Sequence, residues 1–176
     1  MFARTRPKRL NTTVTHLEMT EHPKLQLGWG DERISLIEDE SPDLDTYRRI
    51  YNEVGRRHHW VNRRYMPDYS LQRLLHDPQN RVFYLRRDSE IIGFTEVNMR
   101  QHPEIELVFV GLVEGVLGRG LGKKLLHHTL EIIWSDQPEK VIIQTNTLDH
   151  PNALRLYQEA GFIPVGQEDV TIIDRG

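Results

Sequence analysis

The stretch Val116-Leu117-Gly118-Arg119-Gly120-Leu121-Gly122-Lys123-Lys124 constrains this chain more than any other. It follows an apolar run, Ile105 to Val113, that reads as a buried strand, and it opens a segment with helical spacing. Strand, glycine-rich turn and helix is the layout in which main-chain N–H groups and a helix N-terminus receive phosphate oxygens. Glycines at alternate positions let the backbone approach an anion with no Cβ in the way. Two readings stay open at this point: a phosphate-bearing ligand held by backbone, or an ordinary glycine-rich turn. The rest of the chain separates them.

A length of 176 residues suits one domain with a sizeable core. Hydrophobic residues make up 38% and charged residues 28%, values typical of a globular protein. The formal charge of −3 argues against nucleic acid as the main partner, since such footprints are usually basic. There is no cysteine, which removes disulfides, thiolate metal sites and a thiol nucleophile, and fits a reducing, cytoplasmic location. No apolar run approaches the roughly 20 residues of a membrane helix, so no membrane partner is expected. Arg4, Arg6, Lys8 and Arg9 have no apolar core behind them, so residues 1–11 read as a flexible basic terminus rather than a secretory signal. The domain is expected over 12–176.

Thr12 to Met19 alternates as a strand, and 21–30 reads as loop. Ser41-Pro42-Asp43 predicts a helix start, with a capping hydroxyl and proline in the first turn. Leu44, Tyr47, Ile50, Tyr51 and Val54 form its apolar stripe, and Gly55 ends it. A second helix begins near Pro67-Asp68, buries Leu71, Leu74 and Leu75, and stops before Pro78. Val82 to Arg86 and Ile91 to Met99 predict a hairpin, followed by a third strand over 104–113. The helix from about Gly120 buries Leu121, Leu125, Leu126, Leu130, Ile133 and Trp134. A strand over 140–147, a helix over 151–160 capped by Gly161, and a closing strand within 163–173 complete the pattern. The order β-α-α-β-β-β-α-β-α-β describes one mixed α/β domain. The pairs His58-His59 and His127-His128 do not suggest a metal site, because adjacent side chains point apart and lack a spaced acidic partner.

Three features resemble the GCN5-related N-acetyltransferase (GNAT) superfamily, in particular bacterial members of unassigned substrate. The first is the strand–loop–helix from Glu106 to Leu126, whose loop ends in Gly120-Leu121-Gly122. The second is Ala153 to Phe162, similar to the family's Ala-x-x-x-Tyr-x-x-x-Gly-Phe helix. The third is the order of elements over nearly all of the chain. Thr145-Asn146-Thr147-Leu148-Asp149-His150-Pro151 and His59-Trp60-Val61-Asn62-Arg63-Arg64 resemble the same members. There are departures. Leu117 stands where the family usually has Gln or Arg, with Arg119 beside the glycine instead, and His150 precedes Ala153 where Asn is common.

The resemblance implies a central, mostly antiparallel sheet with two splayed strands, flanked by helices, and acetyl-CoA as co-substrate between them. Val110, Gly111 and Leu112 would face the pantetheine, and Gly111 fits a bulge or close backbone approach. Leu117, Gly118, Arg119, Gly120, Leu121, Gly122 and Lys123 would hold the pyrophosphate, with His150 and Asn152 completing the cofactor site. Tyr157 would protonate the leaving sulfur, and Glu106 would be the general base with Glu96 in reserve. Trp60 and Arg64 would border the acceptor, and an Arg64 facing the cleft would favour an acceptor bearing carboxylate or phosphate. The expected reaction is direct attack of a primary amine, small-molecule or peptide, in a ternary complex; the resemblance leaves room for a homodimer. Two other classes remain: a non-catalytic acyl-CoA-binding module of the same fold, and a dinucleotide-binding domain. The glycine spacing counts against the latter, and no Ser or Thr follows Lys123 as a P-loop requires.

Overall fold

The computed structural model describes residues 6–24 and 26–176. In chain order the elements are β1 (Lys8–Met19), β2 (Ile34–Asp39), α1 (Leu44–Gly55), α2 (Asp68–Leu75), β3 (Asn80–Arg87) and β4 (Glu90–Asn98). They continue with β5 (Glu104–Leu112), α3 (Leu121–Ser135), β6 (Lys140–Asn146), α4 (Ala153–Ala160) and β7 (Ile163–Asp174). Single 3₁₀ turns follow α1 at Arg56–His58 and β5 at Glu114–Val116. One seven-stranded sheet carries them all, in the order β2-β3-β4-β5-β6-β1-β7. No helix among the described residues is long and apolar enough to cross a membrane.

Strand alternation sorts the helices onto two faces. Val82 and Tyr84 of β3 pack with Tyr47, Ile50, Leu71 and Leu75, so α1 and α2 cover one face. Phe83, between them, points the other way, toward Leu126, Leu130, Tyr157 and Phe162 of the α3–α4 layer. A third cluster joins Leu85, Ile92 and Leu112 to Leu121 and Leu125, seating the first turn of α3 on the sheet.

Several local expectations change. The strand β2 has no counterpart in the sequence pattern; it is an edge strand paired only with β3, with Ile37 left 49% exposed, so strict alternation is missing. Lys8 to Asn11, expected to be flexible, instead pair with Thr171 to Asp174 of β7. Arg4 lies outside the described residues. The N-cap of α1 is Asp43, whose carboxylate accepts from Thr46 N at 2.9 Å, rather than Ser41. Gly55 does not end α1 by a left-handed turn, since its φ is −99°; a side chain there would collide with Trp60.

All neighbouring strands are antiparallel except β5 and β6, whose parallel pairing covers only Glu104–Glu106 against Lys140–Ile142. Beyond Glu106 and Ile142 the two strands part. Each keeps its outer partner, β4 or β1, and its inner edge is left without a ladder. Val108 is the extra residue of a bulge in β5, because Leu107 and Phe109 face consecutive residues, Val97 and Glu96.

Candidate functional site

The parted strands frame a groove of about 670 Å³, within the range of sites for small molecules and cofactors. Its β5 wall includes Val108, Phe109, Val110, Gly111 and Leu112, and its β6 wall includes Ile143 to Asn146. Main-chain N–H and C=O groups along these edges have lost their ladder partners, and such groups demand water or a ligand. The bulge lies at Val108, three residues before the glycine expected to mark it. Gly111 serves a close approach of another kind: a Cβ there would collide with Val54 of α1 and press on Trp60.

One end of the groove is the turn into α3. Leu117, Gly118, Gly120, Gly122 and Lys123 line it. Gly118 and Gly120 take φ of 81° and 70°, left-handed values that favour glycine, and space beside each is open. The α3 N-terminus has no side-chain cap and no acid in its first turn, so its N–H groups and positive dipole end are unanswered. Lys123 and Lys124 add positive charge where a helix alone would favour negative. Lys124 is engaged, donating to Trp29 O at 2.6 Å, whereas Lys123 borders the groove. Arg119 is exposed and Leu121 is buried in the core, so neither lines it.

The turn from β6 into α4 forms another wall. His150, Asn152, Ala153, Leu156 and Tyr157 line it. His150 Nδ1 accepts from Asn152 N at 3.2 Å. Tyr157 is 8% exposed, and burial pushes its phenol pKa well up, with the negative charge of Asp149 adding to the shift. Its proton therefore stays on oxygen at neutral pH. Among the described residues nothing hydrogen-bonds that hydroxyl.

The segment after α1 crosses the open ends of the strands and closes the groove from the other face. Trp60 donates from Nε1 to Asp149 Oδ1 at 2.9 Å. The second Asp149 oxygen accepts from Thr145 Oγ1 at 2.7 Å and Asn146 N at 3.0 Å. His58 reaches Leu148 O at 3.1 Å, and His59 reaches Asp174 Oδ2 at 2.6 Å. Asp174 also accepts from Tyr65 at 2.7 Å, and His59 and Tyr65 together hold its carboxyl well below the ordinary range against the cost of burial. Trp60 also packs on Phe109 and Tyr51, at ring separations of 5.0 and 5.7 Å. Burial raises the Tyr51 pKa to about 12.

Besides Arg119 and Leu121, three further candidates do not line the groove. Arg64 donates to Asn52 Oδ1 at 2.9 Å and lies 3.6 Å from Asp174, so the anion it faces belongs to its own chain. Glu96 is fully buried, with one oxygen bound by Arg63 at 2.7 Å and the other by the Tyr47 hydroxyl. Glu106 lies at the closed vertex of the splayed strands, 3.4 Å from Asn98 Nδ2. Conversely, Asp149, His58 and His59 were absent from the expected site. Asp149 and His59 do fall within the segments that resemble the family, but the partners that tie them across the site, Trp60 and Asp174, stand tens of residues away in sequence and carry no local signal.

The sheet thus parts between two parallel strands, with an uncapped helix end and a buried tyrosine lining the gap. Residues 46–162 match the model of the acetyltransferase (GNAT) family. The chain belongs to that family. No curated protein matches the chain. Among solved structures, a Drosophila protein superimposes with TM-score 0.69 at 13% identity, over 95% of this chain and 52% of its own. A GCN5-related N-acetyltransferase from Sphaerobacter thermophilus gives 0.63 at 20% identity, over 96% and 53%. An aminoglycoside acetyltransferase from an uncultured soil metagenomic sample gives 0.61 at 19%, over 74% and 89%. The chain thus spans about half the length of the first two, and at these identities the likeness shows the fold.

Proposed function

We propose that this protein is an acetyl-CoA-dependent N-acetyltransferase acting on a primary amine by direct attack in a ternary complex. The observation that carries the reading is the loss of the β5–β6 ladder beyond Glu106 and Ile142, over a groove that joins the bare α3 N-terminus to Tyr157. A pantetheine arm fits this gap because its amides can take up the hydrogen bonds that the strands withhold from each other. Diphosphate oxygens suit the amides around 118–122 and the charge of Lys123. The coenzyme then supplies an activated thioester.

Little chemistry is left to the chain. The amine nitrogen attacks the thioester carbonyl, the carbon–sulfur bond breaks, and the thiolate takes the Tyr157 proton. The oxyanion would be met by main-chain N–H groups of β5 near the Val108 bulge, a reading supported by the loss of their β6 ladder. Trp60, fixed by Asp149, walls the acceptor side with Tyr51 and Phe109 and excludes water.

The test is a thermal shift with CoA together with thiol release from acetyl-CoA across a panel of amines. Stabilisation by CoA and release with at least one amine are expected. Stabilisation without release from any amine would instead identify a binding module.

A further inference from the structure

Three histidines and two acids compete for the role of base, and the geometry separates them. His58 ends the 3₁₀ turn after α1, held by His59 N to Arg56 O at 3.3 Å and Trp60 N to Gly55 O at 3.1 Å. Its Nδ1 lies 3.1 Å from the carbonyl of Leu148. A carbonyl oxygen can only accept, so Nδ1 carries the proton, and in the neutral ring the lone pair is left on Nε2. His58 lines the same groove as Tyr157, and among the described residues nothing hydrogen-bonds Nε2.

The alternatives are differently placed. Both oxygens of Glu96 are taken, and Glu106 stands outside the lining. His150 Nδ1 accepts an N–H, so the proton of its neutral ring is on Nε2 and points to donation. His59 is tied to Asp174 at the end of β7, two strands beyond β6 in the sheet.

We propose that Nε2 of His58 is the general base that takes the proton of the acceptor amine. The role rests on the acetyl transfer argued above. The step balances: the nitrogen lone pair forms the C–N bond, and the C–S electrons leave with sulfur. One N–H proton passes to Nε2 and one proton passes from Tyr157 to the thiolate. Solvent then removes the imidazolium proton and restores the phenol.

The surroundings favour the neutral ring. Burial holds the His58 pKa below its ordinary value, and Arg57 and His150 push the same way. The Leu148 carbonyl and Asp149 oppose them. Arg57 is drawn off toward Glu114 at 3.0 Å, His59 toward Asp174, and Asp149 is held by Trp60, Thr145 and Asn146. A base of this kind is unprotonated at pH 7 and gains its proton in mild acid.

The test compares wild type with His58→Gln, His58→Ala, His59→Gln and Glu106→Gln. Thiol release from acetyl-CoA is followed against pH with the best acceptor from a panel of an arylalkylamine, an amino-acid amide, a polyamine and an aminoglycoside. His58→Gln should lower kcat/KM by roughly 100-fold, in the range typical of a general base. It should also erase the acidic limb and keep CoA affinity within about twofold, as expected where phosphate and base sites are separate. Added imidazole should restore rate to His58→Ala, and the other two variants should keep the limb. Should the glutamine variant fail to fold, nitrogen-15 spectra of wild type still decide, because the proton must be on Nδ1. An acidic limb that survives in His58→Gln, or vanishes in Glu106→Gln, overturns the assignment and leaves acetyl transfer standing. A wild type that releases no thiol with any amine overturns both.

Discussion

The two halves of β5 behave in opposite ways. From Glu104 to Glu106 the strand is paired with β6, and at Glu106 with β4 as well, so its backbone is spent on structure. From Phe109 to Leu112 it keeps β4 but loses β6, and its backbone faces a groove. Nearby carboxylates divide similarly. Glu96, opposite Phe109 on β4, is buried and saturated by Arg63 and Tyr47, whereas Asp149, beyond β6, tethers a segment that closes the groove. The groove opens where ladder hydrogen bonds are withheld, and the sheet is continuous where they are complete.

That contrast can be broken first on the structural side. Arg63→Ala leaves the buried Glu96 without its arginine partner, which should cost about 3–5 kcal/mol. A chain of this size should lose roughly 10 °C of melting temperature. A calorimetric scan showing no change would mean that the Glu96 cluster is not the anchor described. On the groove side, Gly120→Val forces a branched residue to a left-handed φ, at about 1–3 kcal/mol of strain, and obstructs the anion turn. CoA affinity by titration calorimetry should fall at least about tenfold, more than the fold's stability does.

Tyr157→Phe keeps the ring and removes only the proton donor. Turnover should drop by roughly tenfold or more while CoA affinity stays nearly constant, as for a group used only in the transition state. An unchanged rate would assign the leaving-group proton to water. The smallest effect concerns the crossing segment. Asp174 has its folded pKa lowered, so its contribution is present above the ordinary carboxylate value of about 3.9 and is lost as pH falls through that value toward the folded one. Asp174→Asn should lower stability by about 1–2 kcal/mol at neutral pH and flatten that acidic loss. Denaturant unfolding at pH 7 and pH 3 measures both.

Much of the fold is legible because its signals are local. The stripe of α3, the Leu71–Leu75 face of α2 and the Gly161 cap of α4, at φ 114°, are written in spacing alone. The edge strand β2 is not, since an edge needs no strict alternation. In the site, the glycine turn can be read because backbone geometry demands glycine. Arg64 and Glu96 illustrate the limit. Sequence places them near the cleft, but Asn52 and Asp174 claim one, and Arg63 and Tyr47 the other. His58 and Asp149 show the reverse, gaining their roles from bonds to Leu148 and Trp60 that span about ninety residues.

The most direct measurement is a crystal structure with bound CoA. The diphosphate should accept hydrogen bonds from main-chain N–H groups between residues 117 and 122, with the pantetheine bridging β5 and β6 and the sulfur beside Tyr157. CoA bound elsewhere, or β5 and β6 closed into a continuous ladder past Glu106, would contradict the account.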